Sequence, residues 1–331
     1  MHSLPRRSVV ALTLTLTLVV AACGGGAGTA SPSAAVSTAP SEAPSAAAVF
    51  PVTLEDDEGT PVEIPADPSK IVSLTPANTE ILFAIGAGDD VVATDDGSDY
   101  PAEATSLPHV ATFDSVDVEA IVGMEADLVL AGGLGFTPPD AIARLRDLGI
   151  PVLVLYAPSV EAVYEDIELV GTATGLADDA AALADSMRAE MDDIAAVTAE
   201  GTKPRTFYEV GYTDATGEIF GPADESFVAE MVGLAGGDTI TTGDPASYQI
   251  PLEALIQADP ELIVIGTNAF YAPTPEQVAG RPGWDVMTAV REGDIVPVDD
   301  TEISRPGPRL PAGLRTLAAA IRPDVALPAA P

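Results

Sequence analysis

The stretch SVDVEAIVGMEADLVLAGG, Ser115–Gly133, is answered later in the chain by YQIPLEALIQADPELIVIGT, Tyr248–Thr267. Each reads as a short helix followed by a buried strand, and each carries a glutamate at the same place, Glu119 and Glu253. The correspondence extends outward. EILFAIGAG and SFVAEMVGLAGG are both apolar helices stopped by glycines, and Glu80 and Glu230 stand at matching distances before Gly86 and Gly236. DVVAT pairs with DTIT, and EQVAGRPGWDVMTAVREGDIVPV takes the place of PDAIARLRDLGIPVLVL. The separation of counterparts falls from 150 positions at Glu80 and Glu230 to 134 at Glu119 and Glu253, so a connection is shorter in the second copy. Four matched units in the same order indicate a degenerate duplication.

Within each copy the periodicity is that of an α/β protein. IVSLT from Ile71, VVATD from Val91, DLVLAG from Asp127 and IPVLVLY from Ile150 read as buried strands, with helical segments between them. Such alternation predicts a parallel sheet covered on both faces. Residues 160–172 read as helix, and residues 176–200 as a longer one with Leu183, Met187, Met191 and Ile194 on one face. That helix either lies on one domain or joins two. At Pro204 the strand–helix text restarts with RTFYEVG. Ligands of such architectures sit at domain interfaces and at the carboxyl ends of parallel strands.

Composition bounds the function. The 331-residue chain carries 51 acidic residues against 14 basic ones, a formal charge of −37, which repels phosphate backbones and argues against nucleic-acid binding. Arg6 and Arg7 precede a short apolar run that ends in Val20-Ala21-Ala22-Cys23. The run is shorter than the roughly 20 residues of a membrane span, so residues 1–22 read as a signal peptide. Small residues before a single cysteine resemble a bacterial lipobox, with Cys23 lipidated. Residues 23–48, rich in Gly, Ser, Ala, Thr and Pro, read as a disordered tether. Together these predict an exported protein held by a lipid at the outer face of the cytoplasmic membrane.

Catalytic patterns are lacking. There is no G-x-S-x-G, no phosphate-binding loop and no dinucleotide fingerprint. Cys23 is the only cysteine, and His109 the only histidine after the leader, so a protein-built zinc or cluster site has no ligand set. The expectation is that the protein is not an enzyme and has no resident cofactor.

IVSLTPANTEILFAIGAGDDVVATDDGSDYP, DVEAIVGMEADLVLAGG, SFVAEMVGLAGGDTI and ISRPGPRL resemble segments of substrate-binding proteins of ABC importers, in the class that captures iron–siderophore complexes, haem and cobalamin. The resemblance covers residues 50–323. It implies the class III periplasmic-binding-protein fold: two Rossmann-like lobes, 49–174 and 203–325, bridged by one backbone helix, 175–202, with a short tail at 326–331. It further implies a monomer that takes a small-molecule metal chelate between its lobes, the iron or cobalt arriving with the ligand, and delivers it to an ABC permease dimer with its ATPase. By that resemblance Glu119 and Glu253 dock on permease arginines; the alternative is that each only favours its own helix dipole. Ligand positions fall on Gly97, Phe113, Tyr248, Tyr271, Thr301 and Arg305. The sequence departs from the cobalamin pattern where aromatics are replaced: Gly97 stands just before SDYP, and Ser247 stands where a tryptophan is expected, with Tyr248 beside it. Arg305 suits an anionic ligand, Arg309 reads as structural at the start of the last helix, and Arg281 as a weaker pocket candidate. Other readings of the same scaffold are a surface sensor or adhesion module, or a non-transport enzyme.

Overall fold

The computed structural model describes residues Phe50–Ala330; the signal peptide, Cys23 and the tether lie outside the described residues. Two parallel sheets carry the architecture. The first has the order 115–116, 109–112, 91–95, 71–73, 128–132, 152–155, and only the edge strand 115–116 runs antiparallel. The second has the order 238–239, 205–209, 262–267, 295–299, all parallel. Its four strands repeat the arrangement of 91–95, 71–73, 128–132 and 152–155, which is the duplication read in the sequence. Two elements were not anticipated: an antiparallel hairpin pairing Val52–Glu55 with Pro61–Ile64, and a three-stranded antiparallel sheet of 211–213, 218–220 and 249–250.

The strands are apolar on both faces because both faces are covered. In Leu128–Gly132 the side chains of Leu128 and Leu130 point to one apolar cluster, and those of Val129 and Ala131 to another. Likewise Tyr208 and Val264 face the first cluster while Phe207, Ile263 and Ile265 face a third. The first cluster runs without a break from Ile71 and Leu130 through Tyr164, Met187 and Met191 to Tyr208, Leu314 and Ile321. It therefore belongs to both halves of the chain.

The long helix spans Ala177–Thr198, about 33 Å at 1.5 Å per residue. It packs on Val160–Ala173 of the first half and on Leu310–Ile321 and Phe227–Leu234 of the second. Ala180, Ala184, Met187, Met191 and Ile194 form its buried stripe, and Leu183 is only partly covered. Where the first half has one helix, Pro139–Asp147, the second has Pro275–Ala279, a 3-10 turn at Trp284–Val286 and Thr288–Glu292. Gly283 and Gly293, both at φ +82, break the run.

Candidate functional site

A cleft of about 420 Å³ opens between the halves, within the range of small-molecule sites. Segments leaving the carboxyl ends of three first-half strands form one wall: Thr75–Asn78, Gly132–Phe136 and Leu155–Pro158. The opposite wall is Ser226, Phe227, Tyr248 and Ser304–Pro306. Tyr156 and Tyr248 approach each other from opposite halves; burial first, then Tyr248, raise the Tyr156 pKa.

The lining is largely apolar and partly built by a strained loop. Leu134 holds φ +50, left-handed backbone that a leucine seldom adopts, and is 74% exposed. The loop is closed by Gly132 N–H donating to Thr137 Oγ1 at 2.9 Å and Thr137 N–H donating to the Gly132 carbonyl at 3.1 Å. A Cβ on Gly132 would lie 2.7 Å from Thr75 Cγ2 and 2.8 Å from Phe136 Cβ, so only glycine fits that corner. The effect is to stand Leu134 and Phe136, the latter 55% exposed, at the cleft as bare apolar surface.

At one end of the cleft is an ion-pair cluster that joins the halves. The Glu80 side chain, 1% exposed, accepts from Arg309 Nε at 2.8 Å and Nη2 at 2.6 Å, and from Arg305 Nη1 at 3.1 Å. Arg305 Nη1 also donates to Asp99 Oδ1 at 2.6 Å, and that hydrogen bond holds the Asp99 carboxyl below its ordinary pKa. Arg309 also reaches Glu302 at 3.3 Å and lies over the Tyr100 ring at 4.4 Å. The counterpart of Glu80 crosses the molecule too: Glu230 Oε2 accepts the Val160 N–H at 2.8 Å, at the start of helix Val160–Ala173, beside the Ser159 cap. Each copy thus uses the same duplicated glutamate to grip the other half.

Asp166 lies in the wall of the cleft at 5% exposure. Burial first, then the neighbouring Asp57 carboxylate and Glu165, push its pKa up to about 9. Asp57 is held by the Tyr156 N–H, which donates to Asp57 Oδ2.

Of the residues singled out from sequence, Tyr248 and Arg305 line the cleft. Gly97 sits against the ion-pair cluster, its carbonyl 3.5 Å from Arg305 Nη2. A Cβ there would lie 2.9 Å from Asp95 Oδ2 and 3.2 Å from Pro76 Cγ, which accounts for the missing aromatic. Phe113, 71% exposed, and Thr301, whose N–H donates to Asp299 Oδ1, do not line it. Nor does Tyr271, whose hydroxyl donates to the fully buried Glu209, itself paired with Arg281. Arg281 stacks over Tyr212 and Trp284 at 3.8 and 4.6 Å, so it is part of a packed internal cluster. Arg309 is the residue before helix Leu310–Ile321 and is spent on Glu80. Tyr156, Leu134, Phe136 and Asp166 went unread, although GGLGF after a strand was a signal for an unusual turn.

Glu119 and Glu253 occupy equivalent first-turn positions, in helices Val118–Gly123 and Leu252–Ala258. Both are exposed; Glu119 pairs with Arg144 at 2.9 Å, an exposed contact of little energetic weight. Among the described residues no group of acids, histidines or cysteines is arranged to hold a metal ion, and no helix is long and apolar enough to cross a membrane.

Two sheets of one topology, joined by a helix and facing each other across a cleft, define a solute-binding protein. Residues 71–301 match the family model described as periplasmic binding protein, and the chain belongs to that family. It is 34% identical over 289 residues to an uncharacterised ABC transporter substrate-binding lipoprotein, YvrC, of Bacillus subtilis, a match spanning 86% of this chain and 90% of the relative. It is 29% identical to a cobalamin-binding protein of Halobacterium salinarum, over 79% of this chain and 71% of the relative. Among solved structures, the periplasmic haem-binding protein RhuT from Roseiflexus sp. superposes with TM-score 0.67 at 25% identity, covering 76% of this chain and 97% of that one.

Proposed function

We propose that this protein is an extracytoplasmic receptor that captures a metal chelate, a ferric siderophore, haem or cobalamin, and passes it to an ABC permease dimer driven by its ATPase. The observation that carries the reading is the cleft, lined from both halves and walled mainly by apolar side chains. Apolar walls suit a chelate whose organic shell hides its metal, and such a ligand needs no metal-binding group from the protein. In this reading the chain is a monomer, lobes 49–174 and 203–325 flank the bridging helix, and a lipid on Cys23 with the 23–48 tether holds the receptor at the membrane. Glu119 and Glu253 meet permease arginines as a matched pair, since equivalent charges on duplicated lobes suit a two-fold symmetric partner. A thermal-shift screen of cobalamin, haem and ferric siderophores against the purified protein tests the reading. A chelate at 100 times its Kd stabilises the fold by about 2.7 kcal/mol, and the absence of any shift across the panel sinks it.

A further inference from the structure

We infer that the cleft selects a chelate without net negative charge, neutral or cationic and carrying N–H donors, and that Asp166 is the acceptor which receives it. The inference rests on the chelate-receptor reading above and narrows it.

Charge bookkeeping around the cleft supports it. Among the described residues Arg305 is the one cationic side chain in the lining, and it is already engaged by Glu80 and Asp99. Arg305 and Arg309 face three carboxylates, Glu80, Asp99 and Glu302. The cluster therefore carries one negative charge more than positive, so the charge of the Arg305 guanidinium is already offset through Nη1 before a ligand arrives. The one carboxyl side chain of the lining, among the described residues, is Asp166.

The groups that face Asp166 are acidic: Asp57 from the turn of the hairpin and Glu165 from its own helix. Among the described residues no arginine or lysine neutralises it. Deep burial without a cation keeps Asp166 protonated at neutral pH. An incoming ammonium replaces that proton, which leaves to solvent; an amide N–H donates to an Asp166 carboxyl oxygen and releases none. An anion finds no cation beside it among the described residues. At longer range, the formal charge of −37 raises the local concentration of cations and lowers that of anions.

The test is calorimetric titration of the purified protein at neutral pH with four probes: cyanocobalamin, a cationic ferric trihydroxamate, haemin and ferric citrate. The neutral or the cationic probe is expected to bind at least about tenfold more tightly than either anion. Asp166→Asn is expected to weaken that probe by about tenfold or more. If the cationic probe is the ligand, titrations in buffers of different ionisation enthalpy should show close to one proton released by the native protein and none by the variant. Haemin or ferric citrate binding more tightly than both other probes overturns the charge inference while upholding the chelate reading. Unchanged affinity in a folded Asp166→Asn variant removes Asp166 from the site. If none of the four binds, the chelate reading fails and takes this inference with it.

Discussion

Replacing Glu80 with alanine should destabilise the protein by about 3 kcal/mol, the low end of the range for breaking a buried ion pair. The low end applies because neither arginine is fully orphaned: Arg309 keeps Glu302 at 3.3 Å and Arg305 keeps Asp99 at 2.6 Å. What is lost is three charge-assisted hydrogen bonds to a carboxylate 1% exposed. Glu80→Gln, which keeps the volume and removes the charge, should cost about 2 kcal/mol, because the amide turns an N–H toward guanidinium donors. Urea unfolding gives both values. A domain of this size should lose about 6–12 °C in Tm for Glu80→Ala. Adding Arg309→Met to Glu80→Ala should cost less than the two changes summed, by about 1–2 kcal/mol, since each single change leaves its partner unpaired. The transition should remain single, because the apolar cluster runs through both halves. A loss below about 0.5 kcal/mol for Glu80→Ala would refute the reasoning, for the cluster would then be no better than a surface ion pair.

Other expectations concern separate parts of the molecule. The folded state raises the Asp166 pKa to about 9, whereas the unfolded chain titrates near 4, so native Asp166 makes stability fall as pH rises between those values. Asp166→Asn should therefore stabilise the fold, by about 2–4 kcal/mol more at about pH 8 than at about pH 5; a gain that does not grow with pH contradicts the assignment. Glu119→Ala combined with Glu253→Ala should abolish transport in a reconstituted permease assay while leaving ligand affinity within about twofold; collapse of affinity, or undiminished transport, tells against docking. Leu134→Gly relieves left-handed strain, so stability should hold or rise by up to about 1 kcal/mol, while ligand affinity falls with the lost apolar contact; calorimetry and urea unfolding separate the two.

Much of this fold was legible because its signals are local and repeated. The helix-then-strand phrase around Glu119 and Glu253 predicted two copies of one unit, and the four strands of the second sheet repeat the order of four strands in the first. The hairpin at residues 52–64 was missed although VTLE and PVEI are set about a turn, for they fall outside the duplicated text. The site was less legible because its chemistry depends on partners distant in sequence. Tyr271 looked like a free aromatic wall until Glu209, 62 residues away, was found to hold its hydroxyl. Arg305 meets Asp99 and Glu80 through Nη1, partners more than 200 residues away that its own segment does not announce. Asp166 in VEAVYEDIELV could not be told from its solvated neighbours in a chain with 51 acids; what sets it apart is burial, which the packing of other segments creates.

The unbroken apolar cluster beneath the cleft limits how the receptor can report its load. Swinging one half away from the other would wet that cluster, and uncovering even ~200 Å² costs about 5 kcal/mol, comparable with the free energy of millimolar binding. The molecule is better described as a cast mould than as a trap with a spring. A transporter that must tell full from empty has to feel it at the lip, in the posture of side chains such as Tyr156, Tyr248 and Leu134, since the body behind them keeps its shape.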